Sequence, residues 1–435
     1  MILDADLLAR ASEHAVAFLE GLPERHAGAV ADPEALRIAL SAEGVDAATV
    51  IDDLVAAVEP GLVASPGPRY FGFVTGGVLP AALAADWLTA AWDQNAGLYA
   101  TSPAAAVAEE VAAGWLLDVL GLPAGAGVGM VTGAQMANFT CLAVARDEVL
   151  RRAGWDVARD GLNGAPRIDV VVGEEAHTTI FRALRMLGLG EPRRVPVDGQ
   201  GAIDARPLAR VDGPAIVCAQ AGNVNSGAFD PFGAIADACG ENVWLHVDGA
   251  FGLWAAASPA RRGLVRDAER ADSWAVDAHK WLNVPYDSGL AIVADREAHA
   301  RTFALTAAYL IASGRREPAS LVPESSRRAR GFAVYAALRA LGRDGLGELV
   351  DRCCEHAAHM AALLAHGGLE IRNEVVLNQV VVDLPEDRIA AIQDEGTLWA
   401  SGTVWRGRPS LRISVSGWPT TSEDIERAAE AILAA

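Results

Sequence analysis

Between residues 128 and 294 the chain alternates short, mostly apolar runs with longer segments of helical character. The runs are GMV (129–131), IDVVV (168–172), AIVCA (215–219), VWLHV (243–247), SWAV (273–276) and LAIVA (290–294). A strand wetted on one face alternates apolar and polar residues, whereas one that is apolar at every position is covered on both. The pattern predicts an α/β domain, a mainly parallel sheet with helices on both faces. Upstream, 5–20 and 34–58 read as amphipathic helices joined by GLPERHAGAVADPE. Residues 103–120 predict a further helix: Ser102 can cap it, Pro103 suits its first turn, Val107, Val111, Trp115 and Val119 recur every four residues, and Gly121 stops it. Beyond about 300 come long helices (327–342 and 344–365), strand-like VVLNQVVVD (375–383) and LRISV (411–415), and a capped final helix from 421. The expected organisation is an N-terminal helical arm (1–64), a large domain (65–300) and a smaller α+β domain (301–435).

Composition narrows the function. The 435 residues carry a net charge of -20, which argues against nucleic acid and anionic membrane surfaces and for a small-molecule substrate. Five cysteines without framework spacing suggest reduced thiols, and MILDADLLAR has no basic stretch of a secretory signal. No run of about 18 uncharged apolar residues appears, so a soluble cytoplasmic protein is expected. Of the 36 basic residues one alone, Lys280, is lysine. Arginine serves wherever a cation suffices, but it cannot lose its proton and act as a nucleophilic amine, so the retained lysine points to covalent chemistry.

The surroundings of Lys280 agree. VWLHVDGAFG puts Asp248 just past a buried strand, with the small Gly249 and Ala250 behind it. SWAVDAHKWLNVPYDSG puts Asp277, His279 and Lys280 at the end of the next strand. Open α/β sheets bind ligands at such carboxyl ends. Pyridoxal phosphate requires a lysine and a carboxylate for its pyridine nitrogen, which Asp248 could supply; otherwise Asp248 is a strand-to-turn cap.

Together HVDGAFG, DAHKWLNVPYDSG, GMVTGAQMANFTCLAVAR (129–146), HTTIFRALRMLGLG (177–190) and AQAGNVNSGAFDPF (219–232) resemble the group II pyridoxal-phosphate-dependent amino acid decarboxylases, the aromatic-amino-acid and glutamate decarboxylase-like enzymes of fold type I. The resemblance runs from about residue 65 to the end. It implies a large domain with a mainly parallel seven-stranded sheet, the cofactor pyridoxal 5′-phosphate bound covalently at Lys280, Asp248 paired with the pyridinium nitrogen, and His177 stacked on the ring with Ala250 on its other face. It further implies that Gly133, Ala134 and Gln135 hold the phosphate at a helix N-terminus, that His279 faces the phosphate, and that Asn223 lies near the ring hydroxyl. Where relatives show G-T or G-S followed by an acid, this chain reads Ala134, Gln135 and Met136. For substrate, the resemblance points to Arg412 for the carboxylate. Tyr70, Phe71, Phe73, Trp92 and Tyr99 are either pocket walls or core. A homodimer with shared active sites is implied as well.

The expected reaction is decarboxylation of an L-amino acid, aromatic or apolar. One departure keeps alternatives open. Relatives protonate the carbanion with a tyrosine on a loop that here reads IASGRREPASLVPESSRRARGF (311–332) and has none; Tyr309 and Tyr286 flank it. An aminotransferase, aldehyde synthase or carbon–carbon lyase on the same Lys280 and Asp248 is the alternative reaction, and a non-catalytic binding protein the alternative class. Cys353–His359 lacks two-arm metal spacing and reads as a helix face, residues 129–135 lack the dinucleotide fingerprint, and SSRRAR (325–330) reads as salt-bridging residues before a helix.

Overall fold

The computed structural model describes residues 5–204, 210–304 and 315–435. Seven strands, β1 (Gly127–Val131), β2 (Asp169–Gly173), β3 (Arg193–Val195), β4 (Ala215–Gln220), β5 (Val243–Asp248), β6 (Ser273–Asp277) and β7 (Gly289–Val293), form one sheet in the order β1-β7-β6-β5-β4-β2-β3. β7 runs antiparallel to both neighbours, and the other adjacent pairs are parallel. The mostly apolar runs are explained by burial on two faces. Val217 and Leu245 pack into one core while Ile216, Cys218 and Trp244 enter the other. The helix Ala134–Arg152 covers the second face. Because β1 and β6 both oppose β7, β1, β2, β4, β5 and β6 point the same way and deliver their following turns to one edge.

The smaller domain carries a second sheet, β8 (Gln379–Asp383), β9 (Ser401–Trp405) and β10 (Arg408–Ser414), ordered β8-β10-β9 and wholly antiparallel. β9 and β10 form a hairpin through Arg406 and Gly407, both at positive φ (50° and 73°), the backbone a two-residue turn requires. The long helix Gly331–His366 breaks at Gly342, whose φ of 64° and ψ of -176° leave the helical region. Thr421 caps the final helix Ser422–Ala434 in a capping box with Asp424.

Six elements depart from the expected pattern. The helix expected over 34–58 covers only Ala47–Val58, because Asp46 accepts the Ala48 and Thr49 N–H groups and so starts a new helix there. Helix Pro103–Val119 buries its alanine face, Ala105, Ala106, Ala112 and Ala113, leaving Val107 exposed. Strands β3 and β9 and the helix Glu386–Glu395 were not anticipated; β3 spans three residues, two of them exposed arginines. The 375–383 strand is shorter than its apolar run, beginning at Gln379.

Candidate active site

Four strand ends converge on one cavity of about 240 Å³. Its lining includes His177 after β2, Gln220 at the end of β4, Asp248 at the end of β5 and Lys280 after β6, together with Ala250 and, from β10 of the smaller domain, Arg412. Phe73, Val74, Gly222, Val224 and Phe251 supply the apolar wall. The turn after β6 is fixed to its surroundings through Asn283, which donates to Trp281 O (2.9 Å) and Ser416 O (3.1 Å) and accepts the Trp418 N–H at 2.9 Å. Gly76 packs so closely that a Cβ there would lie 1.7 Å from the Lys280 carbonyl oxygen.

The Lys280 ammonium donates to Asp277 Oδ2 at 2.8 Å. Burial works against its charge, but the Asp277 carboxylate, with Asp248 farther off, outweighs burial and holds the amine above its ordinary pKa. The other Asp277 oxygen accepts the Ala134 N–H at 2.5 Å, at the start of helix Ala134–Arg152, and lies 3.3 Å from His279 Nε2. His279 Nδ1 accepts the Ser288 N–H at 3.1 Å, which leaves the ring proton on Nε2, facing Asp277. Gly133 borders this corner; a Cβ on it would come within 2.9 Å of the His279 ring.

Asp248 is buried, and its carboxylate accepts from Asn138 Nδ2 (3.0 Å) and Ala250 N (3.2 Å), with Thr179 Oγ1 at 3.4 Å, the Thr179 hydroxyl proton facing His177 Nδ1 at 2.9 Å. His177 caps the helix Thr178–Met186, its Nδ1 accepting the Thr179 N–H at 3.4 Å, so its proton sits on Nε2. Burial pushes its pKa down and keeps the ring neutral. Arg412 is 9% exposed, makes no ion pair among the described residues, and its Nε has no hydrogen-bond partner. Burial depresses its pKa.

Of the residues singled out in the sequence, Lys280, Asp248, His177, Ala250, Phe73 and Arg412 meet in this cavity, and Gly133, Ala134 and His279 meet at its Asp277 corner. Gln135 lies beside them, its side chain reaching Thr179 O at 3.4 Å. Asn223 is not in the lining: its Oδ1 accepts the Asn225 and Ser226 N–H groups and holds the turn after β4. Tyr70 stacks on Trp399 (5.1 Å between centroids, 9° between planes), and burial, with Tyr286 nearby, pushes its pKa up to about 12. Phe71 is core, Trp92 packs edge-on against Phe332, and Arg315 covers the Tyr99 ring. Tyr309 lies outside the described residues. The 325–330 arginines form ion pairs as expected: Arg327 with Glu109 (2.7 Å), Arg328 with Asp86 (2.8 Å) and Arg330 with Asp287 (2.8 Å). Cys353 and Cys354 are buried in the long helix. Asp277, Asn138 and Thr179 had not been singled out for a role; the i,i+3 spacing of Asp277 to Lys280 was the one available signal.

A primary amine, a buried carboxylate and a helix-start turn beside a histidine are the groups that a flat, phosphorylated pyridine aldehyde needs, and the buried guanidinium of Arg412 is left for a substrate carboxylate. The small Ala250 and glycines leave room for a ring. The residues present fit pyridoxal phosphate.

Comparison with known proteins is consistent with that fit. Residues 33–384 match the model of the pyridoxal-dependent decarboxylase conserved domain. Tryptophan decarboxylase 1 of Oryza sativa subsp. japonica is 30% identical over 319 residues, covering 67% of this chain and 61% of the relative. The acidic amino acid decarboxylase GADL1 of Mus musculus is 30% identical over 340 residues, covering 74% and 61%. The matches thus span about six tenths of the length of these relatives. The crystal structure of Oryza sativa TDC with PLP and tryptamine superposes with a TM-score of 0.91 at 23% identity, covering 99% of this chain and 98% of that one. The shared fold therefore extends over the whole chain, smaller domain included.

Proposed function

The chain belongs to the pyridoxal-dependent decarboxylases, enzymes of fold type I that work with pyridoxal 5′-phosphate, and from that premise we propose that it decarboxylates an L-amino acid with an aromatic or apolar side chain. The observation that carries the reading is the charge inventory of the cavity: Asp248, Lys280 and Arg412 are its charged lining residues apart from the neutral His177. With Lys280 and Asp248 serving the cofactor and Arg412 the substrate carboxylate, no charge among the described lining residues remains for an acidic or cationic side chain. Phe73, Val74, Val224 and Phe251 are left to face it.

When bound, the cofactor supplies an electron sink for the pair released as the carboxylate leaves. Lys280 would hold the cofactor through its amine, and Asp248, fixed by the Asn138 and Ala250 N–H groups, would pair with the pyridine nitrogen. The turn of Gly133, Ala134 and Gln135 with His279 would hold the phosphate, the Ala134 N–H giving up its bond to Asp277 to do so. His177 and Ala250 flank the ring. Arg412 orients the carboxylate by charge-assisted hydrogen bonds, and the apolar wall withholds water from it. The reaction consumes one proton at the α-carbon and releases CO2 and the amine; His177 Nε2–H is a proton held in the cavity.

Two helices, Ala5–Gly21 and Ala47–Val58, bury no residue within the chain, and Leu8, Val16, Val50 and Leu54 on them are exposed. These faces support a homodimer in which the arm of one protomer covers its partner, measurable as mass by light scattering. No described helix is long and apolar enough to cross a membrane.

The sequence between 315 and 332 has no tyrosine, which favours a second reading in which molecular oxygen oxidises the intermediate state: amino acid, O2 and water give aldehyde, CO2, ammonia and hydrogen peroxide. Assaying amine, aldehyde and peroxide with tryptophan, tyrosine, phenylalanine, leucine, glutamate and 2,4-diaminobutyrate tests both. Amine from the aromatic or apolar members supports decarboxylation; aldehyde with stoichiometric peroxide replaces it, and activity confined to glutamate or diaminobutyrate overturns the substrate class.

A further inference from the structure

Behind Asp248, away from the cavity, lies a line of fully buried polar side chains of which the mechanism above uses Asn138 alone. Trp244 Nε1 donates to Ser273 Oγ at 2.8 Å, Ser273 Oγ lies 2.9 Å from His246 Nδ1, His246 Nε2 lies 2.8 Å from Asn138 Oδ1, and Asn138 Nδ2 donates to Asp248 Oδ2 at 3.0 Å. The residues come from β5, β6 and the helix Ala134–Arg152, far apart in sequence.

The charge on Asp248 sets the direction of every bond. A carboxylate only accepts, so the Asn138 amide must turn its N–H groups toward Asp248 and toward Thr179 Oγ1 at 3.1 Å. Asn138 Oδ1 then faces His246, whose Nε2 must donate. A neutral imidazole with its proton on Nε2 accepts at Nδ1, so the Ser273 hydroxyl donates there, and its remaining acceptor site takes the Trp244 N–H, a donor only. No member has a bond of the wrong polarity, and none is exposed to water that could replace a lost partner. Burial drives the His246 pKa down to about 4, so the ring stays neutral throughout the physiological range.

We propose that Asn138 and His246 are positioning residues for Asp248: the polarised chain locks the amide whose N–H groups fix the carboxylate and Thr179. Thr179 in turn lies 2.9 Å from His177 Nδ1, so the same amide supports both groups assigned to the cofactor ring. This rests on the reading that Asp248 serves the cofactor nitrogen. The driving force is the cost of leaving a buried donor or acceptor unmade, which exceeds the net worth of the bond. An apolar residue at 246 strands Asn138 Oδ1 and frees the amide to rotate, whereas glutamine, with one donor and one acceptor, can replace the imidazole.

The test compares wild type, His246→Phe, His246→Gln and Asn138→Leu in three measurements: pyridoxal 5′-phosphate affinity of the cofactor-free protein, the pH dependence of the absorption of the bound cofactor, and the NMR signals of the Asn138 side-chain amide without cofactor. The expected result is a loss of affinity of about tenfold or more in His246→Phe and Asn138→Leu, with a shifted absorption profile. His246→Gln retains both, and the Asn138 amide protons lose exchange protection in His246→Phe. Wild-type affinity and profile in His246→Phe overturn the proposal. So does equal loss in the Phe and Gln variants, the mark of a merely structural residue. Should the wild type itself not bind pyridoxal phosphate, the functional reading fails on its own, and the amide signals still decide the chain: protection unchanged in His246→Phe refutes it.

Discussion

Lys280 Nζ is paired with Asp277, at 2.8 Å, and makes no ion pair with Asp248. The two carboxylates nearest the lysine therefore divide the work: one compensates the ammonium, and the other is held by neutral donors. Since Asp277 outweighs burial in keeping the amine protonated, Asp277→Asn should lower the Lys280 pKa and raise the fraction of free amine at neutral pH. With pyridoxal, which lacks a phosphate, imine formation followed by absorbance should show its pH midpoint fall by about one unit or more in the variant. An unchanged midpoint contradicts the assigned role of Asp277.

Arg412 is a buried cation with no counter-charge among the described residues, so it should cost stability and contribute binding. Arg412→Met should raise the melting temperature while raising KM for the amino acid by roughly tenfold or more, the worth of a charge-assisted hydrogen bond, and leave cofactor absorption unchanged. Lower stability with unchanged KM would assign Arg412 to the framework.

The reverse holds for Glu109, 1% exposed, which receives Arg327 at 2.7 Å and Arg316 at 3.4 Å. Glu109→Gln leaves two buried guanidinium groups without a counter-ion, and chemical denaturation should show a loss of about 3–5 kcal/mol. A loss under 1 kcal/mol, the scale of an exposed pair, would refute this account.

His299 is fully buried, and burial lowers its pKa to about 4. Between that value and its unfolded pKa of about 6.5 the unfolded chain binds the proton and the folded chain does not, so stability rises with pH across this window and is lost as pH falls through it. The contribution is about 3 kcal/mol between the two limits. Denaturation at pH 7 and pH 4.5 should show a smaller acid-induced loss for His299→Phe than for wild type; an equal loss in both would contradict the burial effect.

The sequence made the sheet legible because two-sided burial leaves its strands mostly apolar, and it made Lys280 and Asp248 legible because each sits at or just past the end of such a run. β3 escaped because a three-residue edge strand with two exposed arginines has no apolar signature, and β9 because its hairpin depends on the positive φ of Arg406, which no local pattern announces. The helix start at Asp46 was a cap hidden inside an apolar periodicity. The support of Asp248 was the hardest to see: Asn138, 110 residues upstream, and Ser273 acquire their roles only when the helix Ala134–Arg152 lies across β5 and β6. Asn223 lies outside the cavity lining, and its side-chain oxygen serves the turn that contains it.

The central claim is that the chain's one lysine carries the cofactor, and it is tested most directly by reducing the pyridoxal 5′-phosphate-loaded protein with borohydride and mapping the labelled peptide. The account predicts a single label, on Lys280, absent from Lys280→Ala, in which no other lysine can take its place. A reducible yellow adduct retained in Lys280→Ala, or a label elsewhere in the wild type, would contradict it.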